Sequence, residues 1–119
     1  MIRIKRVYTP AKTEDGPRFL VDRLWPRGIK KENLVIQAWF KQVAPSNELR
    51  QWYGHDPDKW CEFNERYFKE LDDHPETWQP LLEAARMGDI TLLFSTTELE
   101  RNNAVSLRAY LEKQLKSVK

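Results

Sequence analysis

The chain has 119 residues, 40% of them apolar, 12% aromatic and 32% charged, which suits one compact domain and excludes separate cofactor and substrate domains. Five Trp, five Phe and four Tyr can bury a large area and exclude a chain disordered throughout. The formal net charge is +2 but uneven: residues 1–31 carry nine Lys/Arg against three Asp/Glu, and residues 54–89 carry four against ten.

Ile2 to Tyr8 alternates apolar and charged side chains, the pattern of an opening strand with one solvated face or at a sheet edge. Thr9 to Pro17, with Pro10, Gly16 and Pro17, has the chemistry of a turn. Phe19-Leu20-Val21 is a continuous apolar run that ends abruptly at Asp22-Arg23, as in a strand buried on both faces whose far end turns polar. Pro26 and Gly28 then reverse the chain and hold Arg27 on a constrained loop. Leu34 to Phe40 alternates well enough to predict a third strand.

Ser46, following Pro45, predicts the N-cap of a short helix through Trp52 that Gly54 ends, with Glu48 favourable in its first turn. Asp56-Pro57 opens a second helix, along which Trp60, Phe63, Tyr67 and Leu71 recur at helical spacing. A third begins near Pro75, repeats Trp78, Leu81, Leu82 and Ala85, and stops at Gly88. Ile90 to Phe94 is a compact buried strand. Thr97 and Glu100 fit a capping box for a closing helix to about Leu115, with Ala104, Leu107 and Leu111 on one face.

Apolar strands separated by long helical stretches predict an α/β fold: a single compact domain over residues 1–119, with a small, mostly parallel sheet flanked by helices. In such sheets ligands collect at the carboxyl ends of the strands, which gives weight to the polar residues there. No apolar run of about 18 residues occurs, and the first residues lack the features of a secretory signal, so the expectation is a cytoplasmic protein without membrane contact. Lone Cys61 is expected to be an ordinary packed thiol.

Three segments carry a resemblance: Val21-Asp22-Arg23-Leu24-Trp25-Pro26-Arg27-Gly28, Ala44-Pro45-Ser46 with Glu48-Leu49-Arg50, and Leu92-Leu93-Phe94-Ser95 with Asn102 and Ala104. From Lys5 to Leu115 the chain resembles the YeaO-like family, part of the group filed as domain of unknown function 488. The resemblance implies a small bacterial cytoplasmic protein, brings no established reaction, and singles out Asp22, Arg23, Arg27, Ser46, Arg50, Ser95 and Asn102. Relatives tend to carry Asn-His-Ala where this chain has Asn102-Asn103-Ala104, and an acidic residue where it has Gln37. A histidine proton shuttle there has no counterpart in this chain, because an amide does not titrate. Some relatives are labelled MarR-type regulators, but a recognition helix needs basic or amide side chains and the central helices here are acidic.

Arg23, Arg27 and Arg50, with the Ser46 and Ser95 hydroxyls, suit an oxyanion, because guanidinium donates in a fixed fork. Asn102 would help orient it. The residues thus point to an arginine-lined pocket for a small anionic ligand such as a phosphorylated metabolite or nucleotide, with catalysis left open. If there is catalysis, Asp22 is the candidate base. Against these roles stand bland ones: Ser46 as an N-cap, Asp22 in an arginine ion pair, and Trp25, Trp39 and Trp52 as core.

Two histidines and one cysteine without ligand spacing give no metal site, and no cofactor loop is present. His55 and His74 both fall at helix starts. Two alternatives use other features. A nucleic-acid binder would exploit the basic first 31 residues, including Arg3, Lys5 and Lys30, although a pI of about 8.7 is below that of a dedicated nucleic-acid domain. A protein-interaction module would use the acidic helices.

Overall fold

A computed structural model describes residues 1–117. In chain order its elements are β1 (Ile2–Arg6), β2 (Arg18–Leu20), β3 (Ala38–Trp39), α1 (Asn47–Tyr53), α2 (Trp60–Asp73), α3 (Gln79–Met87), β4 (Ile90–Phe94) and α4 (Asn103–Lys116), with short 3-10 turns between them. The four strands form one sheet in the order β1-β4-β2-β3, and every pair is parallel. This is the α/β fold the sequence predicts. Among the described residues no helix is long and apolar enough to cross a membrane.

Strand alternation sorts the sheet into two unlike faces. Ile2, Phe19, Val21, Ile90, Leu92 and Phe94 pack with Phe63, Tyr67, Leu71, Leu81, Leu107 and Leu111 of the helices in the main core. Val7, Leu20 and Leu93 point the other way and meet Leu34 in a smaller cluster. Every residue of β4 is therefore buried, as a continuous apolar run between two strands requires. Tyr67 and Tyr110 bring hydroxyls into this packing, and each finds an acceptor: Val43 O at 2.5 Å and Asp72 Oδ1 at 2.6 Å.

The smaller face also buries charge. Asp15 is fully buried and accepts from Lys5 Nζ at 2.5 Å and Arg18 Nη1 at 2.7 Å. Arg18 further donates to Val35 O and Thr9 O. The Asp15 carbonyl accepts from the Thr91 hydroxyl, so the buried polar groups of β2 and β4 are partnered, as burial demands.

Several boundaries differ from the sequence expectation. The predicted third strand shrinks to Ala38–Trp39, because Gln37 N–H donates to Arg18 O, Phe40 N–H donates to Leu20 O, and β2 is then exhausted. Leu34 and Ile36 cover the smaller core instead. The capping box at Thr97 and Glu100 is not used. The Glu98 carboxylate takes the Glu100 and Arg101 N–H groups and keeps that segment in a loop, so α4 starts at Asn103 with Asn102 accepting from Val105 N–H. Cys61 is exposed rather than packed, because its neighbours Trp60 and Phe63 occupy the inward stripe of α2.

Candidate functional site

The chain leaves all four strands at one end of the sheet, and there it encloses a cleft of about 590 Å³. Tyr8 follows β1, Asp22 to Arg27 follow β2, Ala44 and Pro45 follow β3, and Ser95 to Asn103 follow β4; α1 supplies a further wall. This is the position in which open parallel sheets hold ligands.

At its base, Asp22 joins three elements. Its Oδ2 accepts from Ser95 N–H at 2.9 Å and from Ser95 Oγ at 2.8 Å, and its Oδ1 accepts from Asn103 Nδ2 at 3.1 Å. Asn103 also donates to Val21 O, and the Trp39 indole donates to Asp22 O. The expected ion pair between Asp22 and an arginine does not form: among the described residues no arginine nitrogen lies within 4.0 Å of this carboxylate. Three neutral donors hold it instead.

The Trp25 to Gly28 turn is held from both sides. The Trp25 indole donates to Ile29 O at 2.6 Å, and the Tyr8 hydroxyl donates to Arg27 O at 3.0 Å. Gly28 takes φ of 77°, open to glycine without strain. Arg6 fixes the opposite loop, donating from Nε to Thr96 O and from Nη2 to Ser95 O.

Around these fixed loops stand Arg23, Arg27, Arg50 and Arg101, all exposed and all lining the cleft. Among the described residues none of the four is in an ion pair; Arg50 donates to the Asn47 side-chain oxygen. Asp22 and Glu98, the two carboxylates in the wall, already accept hydrogen bonds from neighbouring N–H groups. Those backbone donors, with Arg101 nearby, hold the Glu98 carboxyl below the usual carboxylate range. The cleft therefore carries an excess of unpaired positive charge. The N-terminus of α4, which ends there, adds to it.

Of the residues singled out in the sequence, Asp22, Arg23, Arg27, Arg50, Ser95 and Asn102 come together on this cleft. Ser46 does not. It caps α1, accepting from Leu49 N–H, and donates its hydroxyl and N–H to the Glu70 carboxylate of α2. Asn102 lines the cleft, but its amide is committed at both ends, to Val105 N–H and Glu98 O. Trp25 lines the cleft, whereas Trp39 and Trp52 pack against the cores.

Sequence reasoning passed over Arg101, Glu98 and Tyr53 in the cleft wall, set His55 aside as a helix start, and read Trp60 and Phe63 only as the apolar stripe of a helix. Burial raises the Tyr53 phenol pKa, nearby Glu98 raises it further, and Arg101 opposes them. Among the described residues no group of three or more His, Cys, Asp or Glu side chains is arranged to hold a metal ion.

Four of the nine Lys/Arg of residues 1–31 are engaged within the molecule. Arg3 pairs with Asp89, Lys5 and Arg18 pair with Asp15, and Arg6 binds two carbonyls. Those four are thereby less available to track a nucleic-acid backbone.

Residues 1–119 match the family described as the inactive DUF488-N3 subclade. The chain belongs to this family. It is 42% identical over 110 residues to the uncharacterized protein YeaO of Escherichia coli (strain K12), covering 92% of this chain and 96% of that protein. It is 39% identical over 110 residues to the uncharacterized proteins Mb3100c of Mycobacterium bovis and Rv3073c of Mycobacterium tuberculosis (strain H37Rv), covering 92% of each chain. The YeaO-like resemblance read from the VDRLWPRG segment thus holds across the DUF488-N3 chain. No solved structure gives a significant match.

Proposed function

We propose that this DUF488-N3 protein uses the cleft to bind a small anionic ligand, a phosphate or a phosphate-bearing metabolite, without turning it over. The observation that carries the reading is the convergence of Arg23, Arg27, Arg50 and Arg101 on one cleft with no ion-pair partner among the described residues. Arginines so placed, with charge-assisted donors free, are matched to a multidentate oxyanion.

Two features support binding over turnover. Asp22, the candidate base, has three of its about four acceptor positions taken by Ser95 and Asn103. Its role here is to fix the loop after β4, which carries Ser95 and Arg101. Asn103, the group nearest to it from α4, is an amide and cannot move a proton at neutral pH. The family's description as an inactive subclade agrees with this reading.

Isothermal titration calorimetry with inorganic phosphate and with sulfate at low salt tests the proposal. One saturable site is expected, weakened about tenfold in Arg27→Ala and in Arg50→Ala, the scale of one lost charge-assisted contact. Equal affinity in wild type and both variants, or no binding, overturns it.

A further inference from the structure

The cleft is larger than a bare oxyanion needs. Its volume of about 590 Å³ falls in the roughly 300–1,000 Å³ range of pockets that hold organic ligands, and inorganic phosphate leaves most of it unfilled. The remaining wall is aromatic. Tyr53 lies 4.7 Å from Phe63 and 6.0 Å from Trp60 between ring centroids, and Trp60 and Phe63 stack within 13° of parallel. Phe63 is buried beneath, while Tyr53 and Trp60 keep part of their surface open on the cleft.

The backbone at this wall is unusual. Gly54 and His55 both take positive φ, 54° and 59°, and His55 is the one non-glycine residue to do so among those described. At Gly54 this is the ordinary left-handed end of α1; at His55 such a conformation persists only where its surroundings hold it, and such positions cluster at ligand sites. Here the two left-handed residues turn α1 toward α2 and set the exposed His55 ring 6.4 Å from Tyr53, at the cleft wall.

An aromatic floor beside free guanidiniums fits a ligand with a flat ring at one end and a phosphate at the other. We infer that the anion taken by this cleft is a free nucleotide, its base against the Tyr53 and Trp60 rings and its phosphate among the arginines. The inference rests on the anion-binding reading and names the class of ligand. Stacking on an aromatic face suits any base. Gln51, which lines the cleft from α1 and makes no side-chain hydrogen bond among the described residues, offers both a donor and an acceptor to a base edge. A free nucleotide fits better than a strand, because Arg3, Lys5 and Arg18 are already paired and no basic track leads away from the cleft through them.

The test is calorimetric titration of the whole protein with inorganic phosphate, ribose 5-phosphate, a purine nucleoside 5′-monophosphate, and a short 5′-phosphorylated oligonucleotide. The nucleoside monophosphate should bind about tenfold or more tighter than ribose 5-phosphate, the scale of one base stacked on an aromatic ring. Tyr53→Ala should remove that advantage and leave phosphate binding in place, whereas Tyr53→Phe should keep it. Circular dichroism checks that each variant is folded. If ribose 5-phosphate and the nucleotide bind equally and both depend on Arg27, the base inference falls and the anion site stands. If nothing binds, both fall. Tighter binding of the oligonucleotide than of the mononucleotide overturns the assignment to a free nucleotide.

Discussion

A Cβ placed on Gly16 would lie 2.0 Å from the carbonyl oxygen of Asp89. The obstacle is backbone, next to the first residue of β4, and Gly16 itself sits at φ of 61°. No rotamer change can relieve it. Gly16→Ala should therefore cost about 3 kcal/mol, a strained dihedral plus a displaced strand, and chemical denaturation should show a lower midpoint. A midpoint equal to wild type would mean that the turn and β4 are not in this contact.

One residue earlier, Asp15 makes stability depend on acid. Burial pushes its carboxyl up, but the Lys5 ammonium, the Lys12 N–H and the Arg18 guanidinium outweigh burial and hold its pKa at about 2 against an ordinary 3.8. A depressed folded-state pKa contributes stability that is complete above the unfolded value and is lost as pH falls through the folded one. The loss should therefore run from about pH 4 down to about pH 2 and amount to about 2 kcal/mol. Denaturation series across that window should show a loss larger in wild type than in Asp15→Asn by about that amount.

Asp22 and Ser95 should behave as a unit. Asp22→Ala strands the Ser95 N–H and hydroxyl and the Asn103 amide, and should destabilise by about 2–3 kcal/mol; Ser95→Ala removes one hydroxyl and should cost about 1 kcal/mol. The double variant should be less destabilised than the sum, with a coupling of about 1 kcal/mol. Simple additivity in urea denaturation would show that the two do not share these bonds.

Ser46 should separate stability from binding. Ser46→Ala loses an N-cap and the hydroxyl donated to Glu70 while keeping the backbone N–H on it, for about 1 kcal/mol of stability, yet it stands outside the cleft. Its phosphate affinity should match wild type. A fall comparable to that of Arg27→Ala would bring Ser46 back into the site.

The paired cations should likewise be silent in binding. Arg3→Ala breaks a contact with Asp89 on a partly exposed side chain, so anion affinity should stay within about twofold of wild type at about 0.15 M salt, where charges beyond roughly 8 Å are screened. A broad loss of affinity on neutralising Arg3 would favour a diffuse electrostatic surface over a cleft.

What was legible in the sequence was local. The stripe Phe63, Tyr67, Leu71 specified α2, the run Ile90–Phe94 specified β4, and Asp22 and Ser95 declared themselves as polar residues at the ends of apolar strands. Caps were legible where one side chain decided them, as at Ser46, and illegible where two competed. Thr97 and Glu100 have the right spacing, but Glu98 takes the N–H groups first, a choice set by loop geometry. Arg101 and Tyr53 were missed because nothing near them in sequence marks them. They meet the cleft only because β4 lies beside β2 and α1 folds back on α2. The charge on Arg3, Lys5 and Arg18 was counted correctly, but its partners at Asp89 and Asp15 could not be read from composition.

The strand order β1-β4-β2-β3 also governs the sequence of events during synthesis. β1 and β2 both leave the ribosome early, yet neither pairs with the other; the place between them belongs to β4, whose register with β1 sets Ile2 against Ile90. Until that late segment emerges, β1 has no neighbour and β2 has only the two-residue β3. Sheet closure is a long-range event of the kind that slows folding. A nascent chain halted before Ile90 would hold two strands separated by an empty slot, and the base of the cleft, which needs Ser95 on Asp22, would not yet exist.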